Sequence, residues 1–276
     1  MSQSKIPQAA YAIIGGSSTF SISFPEDLNF PNVTVLEKDL VFTTPFGDSP
    51  VFKLFTLGDK KILTLKMHGW RDGVTRADAS RQVFWVLREA GVKRILAEGG
   101  VGAINHLLKL RDLLIPNDYL DFSMRKDVAL GSPYLLTMRH PVCAEMAAEL
   151  VKAAEKLAVG RVFERGVYAV TDGRHFESPA EINMLGRLGA DIVGQSMCPE
   201  VYLAREIGAC YARIDMVVNY AEGVVKEWEH RELKEIFYSE SQRIGEILLT
   251  ALTNIKSGQC CQCPELRTPT LLKEQK

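Results

Sequence analysis

The sequence lacks the features that mark membrane and nucleic-acid-binding proteins. No apolar run approaches the roughly 20 residues with which a helix crosses a bilayer. Its 33 lysines and arginines against 34 aspartates and glutamates leave a net charge of −1, so no basic excess attracts phosphate backbones or anionic lipids. The start, MSQSKIPQAA, has no apolar h-region, which predicts no signal peptide. We expect a soluble, cytoplasmic protein without nucleic-acid or membrane partners.

Internal repeats, low-complexity linkers and breaks in composition are also missing. With 276 residues, 46% of them hydrophobic, the chain is long enough to bury one sizeable core. We therefore predict a single domain over residues 1–256 and a cysteine-containing C-terminal tail over residues 257–276.

Cysteine is sparse in the body of the chain and concentrated in the tail. Cys143, Cys198 and Cys210 lie in predicted helix or strand context, where cysteine is usually a small buried hydrophobe in a reducing compartment. The other three stand together near the C-terminus: Cys260, Cys261 and Cys263. A zinc site there would need a fourth ligand, which no nearby histidine or CxxC pair supplies. An inert tail and a redox-active or disulfide-forming tail both stay open.

Strands alternate with helices along the chain, which indicates an α/β fold. The predicted strands are residues 11–14, 51–57, 62–66, 94–97, 167–171, 191–193 and 211–218. The predicted helices are residues 76–90, 141–157, 179–188, 199–207 and 229–252. The second and third strands read as a hairpin, and residues 98–102 read as a loop.

Three places suit an anion, each with an ordinary alternative. Gly15-Gly16-Ser17-Ser18 follows a strand and can offer backbone N–H groups and hydroxyls to a phosphate, although such a segment is more often only a turn. Ser196 lies near a predicted helix N-terminus, where backbone dipoles favour anions, but taken alone it is better explained as a helix cap. His68 ends a strand, where a single histidine is functional in a minority of cases.

Three further residues suit a flat heterocycle. Phe176 and Glu177 directly precede a helix whose start has the form of a capping box, in a strand-to-helix loop of the kind that often carries function. Asn219 ends a β-branched strand. The ordinary alternatives are a core aromatic, a solvated charge and a turn residue.

The order of these residues resembles the trimeric purine nucleoside phosphorylase and methylthioadenosine phosphorylase family. The matching segments are IIGGS at 13–17, TPFG at 44–47, HG at 68–69, residues 173–181, GAD at 189–191 and PEV at 199–201. The resemblance implies a single nucleoside phosphorylase-like α/β domain with a mixed central sheet flanked by helices, assembled as a homotrimer or a dimer of trimers. Members cleave the N-glycosidic bond of a purine nucleoside with phosphate as co-substrate, which implies no metal and no other cofactor.

The resemblance also implies roles for individual residues. Those implied to surround phosphate are Ser17, His68, the region of Gly100 and Ser196. Those implied to hold the nucleoside are Phe176 on the base, Glu177 on its pyrimidine edge, Gln195 beneath the ribose and Asn219. Asn219 and His68 are the catalytic candidates. Adenine-directed members carry Asp at the position of Asn219, so the resemblance implies a 6-oxopurine nucleoside such as inosine or guanosine.

Hydrogen-bond chemistry agrees with a 6-oxopurine. Such a base presents an O6 acceptor and an N1–H donor. The Asn219 amide can donate to O6 while its carbonyl receives the N7 proton of the leaving base, and an ionised Glu177 accepts N1–H. Adenine reverses the pattern at N1, which would leave the carboxylate unpaired at a cost of about 1–3 kcal/mol. The 5′ substituent stays open, and 5′-methylthioinosine is an alternative substrate.

The phosphate end departs from the family pattern. Met67 and Asp72 stand where the family has an arginine and a second histidine, and Glu98 adds a negative charge beside the glycine-rich loop. Arg71 and Arg76 are the candidates for a compensating cation. Three functions stay open: phosphorolysis, which we favour, hydrolysis by a nucleosidase with Glu98 or Asp72 as base, and purine binding without catalysis.

Overall fold

The predicted α/β class with a mixed central sheet flanked by helices is confirmed. The computed structural model describes residues 5–67, 71–256, 258 and 261–270. Across those residues, no helix is both long and apolar enough to span a bilayer.

The elements of the described residues are as follows. The strands are β1 (Tyr11–Gly15), β2 (Val33–Leu40), β3 (Thr43–Thr44), β4 (Gly47–Asp48), β5 (Phe52–Leu57), β6 (Lys60–Lys66), β7 (Arg94–Ala103), β8 (Leu113–Leu114), β9 (Asp118–Asp121), β10 (Tyr134–Leu136), β11 (Val162–Phe163), β12 (Val167–Val170), β13 (Ile192–Gly194), β14 (Cys210–Tyr220) and β15 (Arg267–Pro269). The helices are α1 (Arg76–Glu89), α2 (Ala144–Leu157), α3 (Pro179–Arg187), α4 (Met197–Glu206) and α5 (His230–Asn254).

The main sheet is parallel at its centre and has antiparallel pairs on both sides, since β14–β8 is also antiparallel. Along it the strand order is β11-β8-β14-β7-β1-β6-β5-β2, and β13 joins β7 at the end of that strand. The pairs β14–β7, β7–β1 and β1–β6 are parallel, whereas β6–β5 and β5–β2 are antiparallel. Because β1, β7 and β14 run parallel, their carboxyl ends meet at one edge, where α/β proteins usually place their sites.

Two helix pairs cover this sheet. Helix α2 packs on α5, and α1 packs on α4. The predicted capping box of α3 is confirmed, since the Ser178 hydroxyl accepts from the Glu181 N–H while the Glu181 carboxylate accepts from the Ser178 N–H. The apolar faces of α1, α2, α4 and α5 join the sheet in one large core cluster that includes Ile13 in β1 and Leu248 in α5, whereas α3 packs into a second, smaller cluster.

The prediction of a loop at residues 98–102 was wrong, because these residues lie inside β7. Glu98 pairs with Ile214 of β14, and Gly99 pairs with Asp215. Glycine weakens a strand by itself, but it permits close approach of neighbouring groups. A Cβ added to Gly99 would lie 2.8 Å from a nitrogen of Arg213. The close packing of Arg213 therefore requires glycine at this position.

The other predicted elements are present with small shifts at their ends. The hairpin of β5 and β6 is confirmed as an antiparallel pair. Helix α4 begins at Met197, two residues before the predicted start, with a break at Cys198 (φ −102°, ψ 137°) that reflects the exclusion of helical geometry before Pro199. Strands β2 to β4, β8 to β11 and β15 were not predicted.

The C-terminal segment returns to the body of the protein. Strand β15 pairs with β10, with Thr268 opposite Leu135, and a short 3₁₀ helix, Cys263–Leu266, precedes it. The division of the chain at residue 256 stays a prediction.

Candidate active site

A cavity of about 380 Å³ lies where β1, β7, β13 and β14 end. Its walls come from the loops that follow β1 and β12, the end of β14 and the first turns of α5. The predicted site residues that line this one cavity are Ser17, Gly100, Phe176, Glu177, Gln195, Ser196 and Asn219. His68, the remaining predicted site residue, lies outside the described residues.

Three glycines of β7 mark two ends of this cavity. A Cβ on Gly99 would lie 3.7 Å from Ser196 Oγ, and a Cβ on Gly100 would lie 2.9 Å from Ser17 Oγ. A Cβ on Gly102 would lie 3.3 Å from Asn219 Nδ2. Three residues of strand span about 10 Å. We call the region around Ser17 and Ser196 the Gly99 end of the cavity. We call the region around Asn219 the Gly102 end.

The carboxylate of Glu98 occupies the loop that follows β1. The Gly16 N–H donates to Oε1, the Ser18 N–H donates to Oε2 at 3.0 Å, and the Thr19 N–H donates to Oε1 at 3.1 Å. Glu98 is buried. These three backbone N–H groups already have a carboxylate acceptor and are not available to a phosphate. A contribution of Ser17 to phosphate binding stays a prediction.

Two hydroxyl groups nevertheless face the Gly99 end. Ser17 Oγ accepts from the Gly100 N–H at 2.8 Å, which leaves the hydroxyl hydrogen of Ser17 to be donated elsewhere. Ser196 is the N-cap residue of α4, but its side chain makes no capping hydrogen bond. It accepts instead from Arg213 Nη2 at 3.0 Å, so Ser196 has the expected cap position but its side chain does not cap the helix.

Behind Ser196 lies a buried network of charged and phenolic groups. Arg213 and Asp215, both 0% exposed, form two parallel hydrogen bonds of 2.8 and 2.6 Å. Arg213 also donates to the Tyr211 hydroxyl, which donates to Glu200 at 2.7 Å. Burial opposes the charge of Arg213, but Asp215 raises the pKa of this guanidinium well above its usual value. Burial likewise raises the pKa of Glu200 to about 7, against the opposite influence of Arg213.

One of the two candidates for a compensating cation reaches the cavity. Arg76 lines it and donates to the backbone carbonyls of Asp172 and Gln195. Burial and the nearby Arg125 lower the pKa of Arg76 to about 10, which leaves it charged at neutral pH. Arg71 donates instead to the backbone carbonyl of Asp48 at 3.2 Å. Arg76 is therefore the candidate that the geometry retains.

At the Gly102 end, two polar side chains are buried to the same extent. Glu177 and Asn219 are each 7% exposed. Thr171 Oγ1 donates to Glu177 Oε1, and Asn219 Nδ2 donates to the Tyr220 carbonyl at 2.8 Å. Asn219 follows a shift in the register between β14 and β7. Bulges of this kind redirect side chains beside sites, which explains why Asn219 lines the cavity from within a strand.

Phe176 and Gln195 form more open parts of the wall. Phe176 is 46% exposed and meets Trp228 edge to face, with ring centroids 4.9 Å apart. The Gln195 side chain lies across Gly173, where φ is +57° and a Cβ would come within 2.3 Å of the amide atoms. Glycine is therefore required at position 173 for two reasons: the backbone is left-handed there, and the Gln195 side chain lies where a Cβ would be.

Comparison with known proteins identifies the family. The phosphorylase superfamily matches this chain over residues 11–253. The chain belongs to the phosphorylase superfamily. A member from Pyrococcus furiosus named 6-oxopurine nucleoside phosphorylase is 31% identical over 92% of this chain and 96% of its own. A member from Methanopyrus kandleri named probable S-methyl-5′-thioinosine phosphorylase is 34% identical over 80% of this chain and 88% of its own.

A solved structure shares the fold. A methylthioadenosine phosphorylase from an antarctic soil metagenomic library superimposes with a TM-score of 0.80 at 23% identity, covering 94% of this chain and 91% of that one. The mixed sheet and its flanking helices are therefore shared with that enzyme.

Sequence reasoning missed the charged network at the Gly99 end of this superfamily member. Arg213 and Asp215 stand two apart in a run that is otherwise apolar, ARIDMVV. Residues two apart in a strand share a face, and opposite charges there indicate a buried ion pair. That signal was present, whereas nothing local ties Glu98 to Gly16, 82 positions away.

Proposed function

We propose that this member of the phosphorylase superfamily cleaves 6-oxopurine nucleosides with phosphate, giving the free base and ribose 1-phosphate. One observation carries the proposal: Glu177 and Asn219, at the Gly102 end, share a cavity with the hydroxyls of Ser17 and Ser196 at the Gly99 end. The separation of about 10 Å between the ends leaves room for a sugar ring. Relatives named as phosphorylases, rather than as nucleosidases, support phosphate over water as the acceptor.

The Gly102 end has the donors and acceptors that a 6-oxopurine requires. The Asn219 amide carries two hydrogens, of which one is bonded to the Tyr220 carbonyl, and the other donates to O6. As the leaving base gains negative charge, N7 takes up a proton from water, and the Asn219 carbonyl accepts a hydrogen bond from the resulting N7–H. Glu177 holds one oxygen towards Thr171 and accepts N1–H with the other. Phe176 covers the open face of the base.

The Gly99 end supplies hydrogen-bond donors and positive charge to the phosphate. The hydroxyl hydrogens of Ser17 and Ser196 donate to its oxygens, and Arg213 holds Ser196 in place with its buried positive charge behind it. Arg76 supplies a second positive charge at the wall. Phosphate then attacks the anomeric carbon as the C–N bond breaks, through a transition state with oxocarbenium character. Asn219 stabilises the departing base, which makes it the catalytic residue of this proposal.

A 5′-methylthio substrate is the second candidate, favoured by the wall beside the phosphate. Met67, Leu233 and Phe237 line the cavity there, and Phe237 lies close enough to Gly100 that a Cβ would come within 2.8 Å of its ring. An apolar wall favours a thioether over a hydroxyl at the 5′ position. Comparing kcat/KM for inosine and 5′-methylthioinosine decides between them.

The deciding experiment is base release with and without phosphate. The full-length protein is incubated with inosine, guanosine or adenosine, and products are separated by chromatography. We expect hypoxanthine or guanine together with ribose 1-phosphate, no release in phosphate-free buffer, and slower release of adenine. Equal release without phosphate would show a nucleosidase, and preference for adenosine would contradict the assignment of Glu177 and Asn219.

We also propose that the protein acts as a homotrimer in the cytoplasm, in the recovery of purine bases. The resemblance to trimeric phosphorylases supports this assembly. Light scattering coupled to size-exclusion chromatography tests it, and a monomeric mass with full activity would contradict it.

A further inference from the structure

Four cysteines from distant parts of the chain meet at the amino-terminal end of β14. The sulfur atoms of Cys143, Cys210, Cys261 and Cys263 all lie within 4.8 Å of one another. No fourth zinc ligand was expected beside the tail cysteines, but the structure brings Cys143 and Cys210 to Cys261 and Cys263. Cys143 and Cys210 are buried, as expected. Cys260 lies outside the described residues.

We propose that these four cysteines bind one structural Zn²⁺ ion as a tetrahedral tetrathiolate site. In such a site each sulfur lies about 2.3 Å from zinc, which places neighbouring sulfurs about 3.8 Å apart. The cluster has this scale, with Cys210 Sγ and Cys261 Sγ 3.3 Å apart, well beyond the roughly 2.05 Å of a disulfide bond. Binding converts four thiols and Zn²⁺ into a complex of net charge −2, with release of four protons.

Two of the ligands belong to the rigid core. Cys143 is the N-cap residue of α2, and its N–H donates to the Tyr211 carbonyl in β14 at 2.8 Å. Cys210 is the first residue of β14, and its N–H donates to the Lys93 carbonyl at 2.9 Å. Both residues are buried. Their positions are fixed by the sheet and the helix start, so half of the site is preorganised.

The other two ligands come from the C-terminal segment. Gln262 adopts a turn conformation (φ −83°, ψ 6°), which lets the flanking Cys261 and Cys263 direct both sulfurs to the same side. The buried Arg205 donates to the Cys263 carbonyl at 3.1 Å, and pairing of β15 with β10 fixes the chain beyond it. Zinc would therefore fasten this segment to the core.

A buried cation beside the cluster matches the charge of the complex. Arg94 is 2% exposed, with Nη1 3.4 Å from Cys210 Sγ. Its nearest carboxylate, Glu145, lies 3.7 Å away and is 40% exposed. Among the described residues, Arg94 Nε has no hydrogen-bond partner. A buried guanidinium is costly without a counter-charge, and a complex of charge −2 supplies one.

The site is independent of the proposed reaction. Cys210 and Asn219 lie near opposite ends of β14, and nine residues of strand span about 30 Å. We therefore expect zinc to change the stability of the fold and the protection of residues 261–270, with kcat unchanged in the protein that stays folded.

Metal analysis of the full-length protein tests the proposal. After expression with zinc and purification under reducing conditions without chelator, we expect about one zinc per chain. Replacement by Co²⁺ should give the thiolate charge-transfer and d–d absorption of a tetrahedral site. Zinc far below one per chain, together with a mass showing disulfide formation, would overturn the proposal.

Variants locate the ligands. The double variant Cys261→Ser/Cys263→Ser changes only the partly exposed segment, so it should fold. Its zinc affinity should fall at least about tenfold, and residues 261–270 should become exposed to hydrogen exchange. Cys198→Ala removes a buried cysteine that is not in the cluster, and Cys260→Ser removes the adjacent tail cysteine; both should retain the metal. Retention of zinc by the double variant, or its loss from either control, would contradict the four named ligands.

Discussion

The two ends of the cavity are built in opposite ways. At the Gly99 end, Ser196 rests on Arg213 and Asp215, which are completely buried in the core and multiply bonded. At the Gly102 end, Asn219 is held by a bond to the next residue, and Phe176 is half exposed. The comparison indicates that the first end is inseparable from the stability of the fold, whereas the second can change its substrate at small structural cost.

The largest effect should come from removing the cation of the Gly99 end. Arg213→Met leaves Asp215 buried without its partner, which costs about 3–5 kcal/mol of unfolding free energy. Urea unfolding measures this loss. The control is Arg88→Met, because the exposed pair of Arg88 with Glu89 should be worth less than about 1 kcal/mol.

A double variant separates the cost of an unpaired buried charge from the loss of the Arg213 side chain's packing. Arg213→Met/Asp215→Leu removes both charges, and apolar side chains often replace a buried ion pair without loss. The double variant should therefore recover part of the stability that Arg213→Met loses. Equal stability of Arg213→Met and Arg88→Met would remove the contrast between the two ends.

The second effect concerns the charge of the Gly99 end at neutral pH. The pKa of Glu200 is raised to about 7 by burial, from an ordinary value of 4.5. Below pH 4.5 both folded and unfolded states carry the proton. As pH rises from 4.5 to 7, the unfolded state ionises first, so Glu200 should lower the unfolding free energy by about 3 kcal/mol.

Unfolding of the parent protein and Glu200→Gln at several pH values measures this change. Since glutamine does not titrate, the variant should gain stability relative to the parent across that range. Glu155→Gln on the surface of α2 is the control, with a difference that stays within about 0.5 kcal/mol. A difference curve for Glu200→Gln that is flat with pH would mean that the carboxyl has the same pKa in the folded and unfolded states, which would contradict the raised pKa.

The same contrast explains what the sequence could predict. The residues of the Gly102 end could be predicted from the sequence because Phe176, Glu177 and Asn219 stand at the ends of predicted strands and helices. Local sequence patterns identify such ends. The hydrogen bonds of Glu98 to the loop after β1 join residues about 80 positions apart, and the four cysteines of the cluster come from three separate segments. Such groupings depend on strand order, which local periodicity does not contain.

The third effect tests whether the Gly102 end chooses the base. Asn219→Asp places a second carboxylate where O6 of a 6-oxopurine would lie, and that carboxylate can accept from the amino group of adenine. We expect the ratio of kcat/KM for adenosine to that for inosine to rise about 10–100-fold. The unfolding free energy should change far less than in Arg213→Met.

Asn219→Ala is the matched control for this change. It removes the amide without adding a charge, so it should slow both nucleosides and leave their ratio near that of the parent protein. An unchanged ratio in Asn219→Asp would mean that Asn219 serves only the backbone of β14.

The smallest effect should come from the open face of the Gly102 end. Phe176→Leu keeps an apolar contact but loses the aromatic face, and stacking of this kind is worth about 0.5–1.5 kcal/mol. Because a base that stacks in the ground state keeps that contact in the transition state, KM should rise about 2–10-fold with kcat nearly unchanged. Phe122→Leu, at an aromatic of similar exposure (43%), is the control and should leave both constants unchanged. A fall in kcat with constant KM would instead show that Phe176 acts on the leaving base, which would move catalysis into the part of the cavity that is least tied to the core.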